Sequence, residues 1–111
     1  MSSGVRVGLC TCPDMAVAGT VARALVDEGL AACVSMLPGV TSVYRWQGEV
    51  EQASEVQLLI KTTPARWDAL VARLVTLHPY DVPELLGLDA VGGLPGYLHW
   101  VTDSTRPPDP T

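Results

Sequence analysis

Twice along the chain, a run of alternating apolar residues meets a proline and becomes a helical stripe, and this repeated switch limits the folds open to it. In "VRVGLCTCPD" (5–14), Val5, Val7 and Leu9 alternate with Arg6, Gly8, Cys10 and Cys12, the period of two expected of a strand with one face in a core. Pro13 has no N–H to donate and suits the start of a helix, and Asp14 is favourable at the positive end of its dipole. Ala18, Val21, Ala22 and Leu25 then share one stripe, and Gly29 supplies a left-handed stop. At the second switch, "EVQLLIKT" (55–62) reads as a strand, Thr63 as a cap and Pro64 as the first residue of a helix carrying Trp67, Leu70, Val71 and Leu74 on one stripe. That helix must end near His78, because Pro79 disfavours a helical residue before it.

Between the switches, "LAACVSML" (30–37) reads as a second strand, "PG" (38–39) as a turn, "VTSVYRW" (40–46) as a further extended run and "QGE" (47–49) as another turn. After them come a last strand "ELLGLDA" (84–90), a loop "VGGLPG" and a short terminal element "YLHWVTD". The order β-α-β-β-α-β predicts an α+β, ferredoxin-like fold: an antiparallel sheet with both helices on one face, an extended central hairpin and a short C-terminal element. The open sheet face is expected to carry Cys10, Cys33, Leu59 and Lys61, and another subunit to cover it. In this topology the first and second strands flank the third, which puts Cys10 and Cys33 about 9–10 Å apart, too far for a disulfide. A chain of 111 residues suits one domain, taken as 1–104 with a frayed tail over 105–111.

The composition is 48% apolar and 17% charged, with a mean hydropathy of +0.25, so the chain should fold. So little charge leaves apolar surface exposed on a small subunit and points to an oligomer. Twelve acids against seven bases give a net charge of −5 with no Lys/Arg-rich run, which argues against nucleic acid as a partner. No stretch reaches the roughly 18–20 apolar residues of a membrane span, and the N-terminal segment lacks a long apolar core behind a basic one. Three cysteines, an odd number, do not make a disulfide framework and fit a reducing compartment. No membrane partner and a cytoplasmic location are therefore expected.

The blocks "CTCPD", "LAACVSMLPGVTSVYRWQGEVEQASEVQLLIKTT", "HPYDVPELL" and "GYLHWV" together resemble the CutA divalent-cation tolerance family, in the same order from about residue 5 to residue 102. The resemblance implies a PII-like homotrimer whose long hairpins complete sheets between neighbours. It also implies a role in tolerance of copper and other divalent metals and, in animals, in anchoring acetylcholinesterase, with no established reaction. Cys12 departs from the family pattern, in which a small residue is more usual there.

The candidate metal ligands are Cys10, Cys12, Cys33 and His78. A C-x-C pair on one strand points both thiols to one face and can chelate soft copper(I), given further ligands; buried inert thiols are the alternative. Cys12, just before a helix, would gain reactivity as a thiolate at the helix N-terminus. Lys61, the only lysine, is grouped with Tyr44, Trp46 and Glu55 as a cleft between subunits for a small anion or other ligand, against a packing role at an interface. In "HPYDVPE", Pro79 and Pro83 turn the chain, while His78, Tyr80 and Glu84 either hydrogen-bond within an interface or bind a ligand. Trp100 joins the ligand or interface candidates. Enzyme readings find no G-x-S-x-G elbow, P-loop, H-E-x-x-H or C-x-x-C pair. The expectation is a homotrimeric, non-enzymatic, copper-binding protein of divalent-cation tolerance, the second reading a PII-like small-molecule sensor or scaffold with its ligand at the subunit clefts.

Overall fold

The computed structural model describes residues 3–107. Its elements are β1 (Arg6–Cys12), α1 (Met15–Asp27), β2 (Cys33–Trp46), β3 (Glu49–Thr62), α2 (Pro64–Leu77), β4 (Leu85–Asp89) and α3 (Pro95–Ser104). The strands form one antiparallel sheet in the order β2-β3-β1-β4. Val21 and Leu25 of α1 and Leu70 and Leu74 of α2 pack with Leu58 and Ile60 in one buried cluster, so both helices cover the same face. This is the expected ferredoxin-like arrangement, with the terminal element a helix.

Local chemistry sets the boundaries. The Asp14 carboxylate accepts the Val17 N–H at 2.8 Å and caps α1, whose stripe Ala18, Val21, Ala22 and Leu25 is buried as expected. Gly29 follows at φ +70°, a conformation that costs glycine nothing. At α2, Thr63 stands at the cap position but its side chain makes no capping bond, a correction to its expected role; Pro64 alone marks that start. His78 ends α2 in an extended conformation, as a residue before proline must.

Two expectations are overturned. Residues 38–39 do not turn the chain: β2 runs unbroken to Trp46, and Pro38 and Gly39, the latter at φ +78°, sit at an irregularity in pairing between Leu37 and Val40. A residue without an N–H is tolerated at such a bulge. The reversal is made by Gln47 and Gly48, at φ 48° and 83°, the paired left-handed geometry of a tight hairpin. Cys10 also does not lie on the open face. It pairs with Leu58, and cross-strand partners share a face, so Cys10 and Cys12 join the helix-side core, both fully buried. Val7 and Leu9 take the open side with Leu59, Lys61 and Cys33. Both faces of β1 carry apolar groups, so alternation alone does not say which set is inward.

Glycines at two paired positions open the sheet to a large ring. Gly8 and Gly87 face each other across β1 and β4, and a Cβ at Gly87 would lie 2.8 Å from the Trp67 ring. Arg6 lies over the same indole, 5.4 Å from its centroid, while bonding Asp89 at 2.7 Å. The far end of the sheet is bare: β1 pairs with β3 only from Val56 to Thr62, so the hairpin outboard of Val56 has no third strand. The radius of gyration, 14.8 Å, accordingly exceeds the value of about 13 Å for a compact chain of this length. At the opposite end, Val101 of α3 packs with Val5 and Ala32, and the buried Thr105 hydroxyl donates to Val101 O at 2.7 Å. Of the tail proposed from 105 onward, residues 108–111 lie outside the described residues.

Gly87→Ala should destabilise the fold by about 1–3 kcal/mol through overpacking against Trp67. Gly19→Ala, mid-α1 with nothing within 4 Å of the added carbon, should stabilise it by up to about 1 kcal/mol. Urea unfolding of the two variants checks both signs.

Candidate thiol cluster and acidic groove

The corner where β1, the residues after α2 and the overhanging hairpin meet gathers most of the candidate residues. The pleat of β1 aims Cys10 and Cys12 inward, and the turn after α2 brings His78 back across the end of that strand. The Cys10 and Cys12 sulfurs and a His78 ring nitrogen lie within 4.8 Å of one another, all three residues being buried. His78 is held at both nitrogens: Nδ1 accepts the Tyr80 N–H at 3.2 Å, so Nε2 carries the proton and donates to Thr11 O at 2.8 Å. Its first role is thus to satisfy a backbone carbonyl and fix the turn.

The Cys10 thiol donates to Thr11 O at 3.7 Å. Its pKa is pushed up chiefly by the neighbouring Cys12 thiol and then by burial. The pKa of Cys12 is drawn down chiefly by Cys10, against burial and the charges of Asp14 and Glu55. Asp14, whose carboxylate caps α1, sets a negative charge at the helix end that opposes a Cys12 thiolate. Cys12 is also fully buried, which removes the accessibility that reactivity would require.

Cys33 stands apart, on the other sheet face, where the Lys61 ammonium donates to Ser35 Oγ at 2.6 Å and lies 3.7 Å from Cys33 Sγ. α3 packs at this end of the sheet through Val101 and Leu98 against Val5 and Ala32, and burial and the neighbouring Cys33 raise the Tyr97 hydroxyl's pKa. Within one chain Lys61 is also remote from the aromatic pair with which it was grouped. Six residues of β3 separate it from Glu55, about 20 Å at the strand repeat. Trp100 lies on α3, half-exposed and 5.7 Å from the Tyr97 ring, away from the corner.

Beside the thiol cluster an open groove of about 730 Å³ is lined by Tyr44, Trp46, Glu55, Tyr80 and Glu84, with Thr11, Ser42, Val43, Asp81 and Val82 between them. The Tyr80 hydroxyl donates to Glu55 Oε2 at 3.4 Å, and its pKa is raised by burial first and by the Glu55 charge second. The Tyr80 ring stands 4.8 Å from that of His78, so one short turn ties the groove to the cluster. Among the described residues its lining holds three carboxylates and no basic side chain, so the small anion expected here has no cation to meet it within one chain.

Sequence reasoning missed five lining residues. Ser42 was legible, since it shares strand parity with Tyr44 and Trp46; Asp81 and Val82 lay inside the "HPYDVPE" block but were read as the turn itself. Thr11 and Val43 gave no signal, because their place depends on the bulge in β2 and on the approach of the hairpin.

A family model described as "CutA1 divalent ion tolerance protein" matches residues 6–104. The chain belongs to this family. A relative described as a divalent-cation tolerance protein CutA, from Thermus thermophilus, is 50% identical over 90% of this chain and 97% of its own length. The crystal structure of CutA from Xylella fastidiosa superposes with a TM-score of 0.91 at 46% identity, covering 93% of this chain and 99% of that one. A CutA structure from Archaeoglobus fulgidus, described as periplasmic, has a TM-score of 0.89 at 25% identity over 92% of this chain and 99% of that one. Among the described residues no helix of this CutA family member is long and apolar enough to cross a membrane.

With both sulfurs sealed in the core, iodoacetamide should leave Cys10 and Cys12 unmodified in the native protein and alkylate both in denaturant, as read by peptide mass spectrometry. Replacing His78 by alanine should destabilise the fold by about 1–3 kcal/mol, because the Thr11 carbonyl then keeps only the weak Cys10 S–H donor; urea unfolding checks it.

Proposed function

We propose that this chain is a non-enzymatic, homotrimeric protein of divalent-cation tolerance that binds copper as copper(I). The observation that carries the metal reading is the convergence of two thiols and an imidazole within 4.8 Å. This soft donor set suits copper(I) and suits a hard, octahedral cation poorly. Cys10 and Cys12 would be the ligands; His78 would join them only by releasing the Thr11 carbonyl. Cys33, on the opposite face, is not part of the set. The names of the relatives support a metal response, and the three free thiols support a reducing, cytoplasmic setting.

The trimer is supported by what one chain leaves uncovered. Val43, Trp46 and Val50 on the overhanging hairpin and Leu86 and Leu88 on the open sheet face are all more than half exposed. A two-stranded ribbon is marginal alone in water, and apolar surface of this extent marks contact with another chain. A second reading, a PII-like small-molecule sensor or scaffold, is favoured by the groove.

Anaerobic titration of the reduced protein with copper(I) should show one ion per chain, lost on Cys12→Ser and retained on Cys33→Ser. Light scattering should give a mass three times 11.8 kDa with and without metal. Copper binding that survives replacement of both Cys10 and Cys12 would overturn the thiol site.

A further inference from the structure

Cys10 and Cys12 are both 0% exposed, so an ion bound for their sulfurs must first displace something that covers them. Most of that cover cannot move without unfolding the chain. β1, which carries both residues, is bonded along its two edges to β3 and β4, and the thiols share one buried cluster with Leu25, Val56, Leu58 and Leu74 of the packed elements. The exception is the return from α2 to β4. Residues 78–84 belong to no helix or strand, and within them only His78 is buried.

This segment is held down lightly. Among the described residues, two side-chain hydrogen bonds tie it to the rest of the molecule: His78 Nε2 to Thr11 O at 2.8 Å, and the Tyr80 hydroxyl to Glu55 Oε2 at a long 3.4 Å. The Tyr80 N–H bond to His78 Nδ1 lies within the segment and would travel with it. Exposed segments with few bonds to the packed body open at a lower free energy than the whole fold. Here the one buried member of such a segment is the imidazole that lies within 4.8 Å of both sulfurs.

We propose that residues 78–84 are a lid over the thiol pair, which opens without unfolding the sheet or the helices and is latched by the Tyr80 hydroxyl on Glu55. Opening lifts the His78 ring from the sulfurs and breaks its bond to Thr11 O, the bond that must be released before this imidazole can turn to an ion. The role as a route of entry rests on the reading of Cys10 and Cys12 as metal ligands. The opening itself is a property of the metal-free protein.

The test is the rate at which iodoacetamide alkylates each cysteine of the whole, reduced, metal-free protein in chelator, read by peptide mass spectrometry at several urea concentrations below the unfolding transition. A short exposure leaves both core thiols unmodified, whereas hours of exposure count the openings. Cys10 and Cys12 should react slowly, at rates nearly independent of urea, because a local opening exposes little surface. Both rates should rise by about threefold or more in Tyr80→Phe, in keeping with the modest net worth of one hydrogen bond, and remain insensitive to urea. Cys33, on the opposite sheet face, should react at an unchanged rate. Tyr80 is 41% exposed, so this variant keeps the core. Core-thiol rates that climb with urea as steeply as global unfolding, no core-thiol modification over hours, or equal rates in Tyr80→Phe and the parent protein would each overturn the lid. Copper(I) titration of the same samples separates the two readings. Lid behaviour without copper(I) binding would overturn the ligand reading alone, and copper(I) binding by thiols that react only on global unfolding would overturn the lid alone.

Discussion

The central strand β1 is hydrogen-bonded along both edges, to β3 from Arg6 to Cys12 and to β4 from Arg6 to Cys10. A shift of one residue would break both ladders and exchange its two faces, so its pleat is held in one state. That state sends Gly8, Cys10 and Cys12 toward the helices and Val7 and Leu9 away. Gly8, with Gly87 beside it, gives the Trp67 ring its space on the sheet. Cys10 and Cys12 bring two sulfurs to the end of the core, where His78 closes over them. The backbone turned outward at Thr11 supplies the carbonyl that orients His78.

Much of this was legible from the order and period of the elements. α2 starts at Pro64 as read, whereas α1 starts at Met15 with Asp14 as its cap, so Pro13 precedes the helix and is not its first residue; the α1 stripe was buried as read, and the flanking of the third strand by the first and second is the observed order. What failed has a common physical cause. The sequence around Pro38–Gly39 contains the residues of a turn, but those residues equally suit a bulge, and only pairing with β3 decides between them. The face of Cys10 was misassigned because Val5, Val7 and Leu9 form as good an apolar set as the thiols do. Periodicity identifies two faces, whereas the packed helices identify the inner one.

The corner places two unlike chemistries side by side. On the helix side, each thiol shifts the other, Cys10 upward and Cys12 downward, and both are shielded from water. On the groove side, burial first and the Glu55 carboxylate second push up the Tyr80 hydroxyl. Tyr80 therefore reports on both: its backbone N–H holds His78 and its phenol holds Glu55. Glu55 thus faces both: its charge raises the Tyr80 hydroxyl, after burial, and opposes thiolate formation at Cys12.

The overhang of the hairpin gives this corner a mechanical setting. Tyr80 stands on the packed body of the molecule and Glu55 is the first residue of β3 beyond the third strand, whereas Tyr44 and Trp46 stand farther out on that two-stranded ribbon. Within one chain the long Tyr80–Glu55 bond is the one side-chain hydrogen bond across the described lining of the groove, too little to fix the position of a two-stranded arm. The wall bearing Tyr44 and Trp46 is therefore set by whatever braces the arm, and the exposed Val43 and Val50 are the surface through which a neighbouring chain would do so. The shape of the groove then depends on that brace: whatever holds the ribbon also fixes the distance between its aromatic rings and the Glu55 carboxylate.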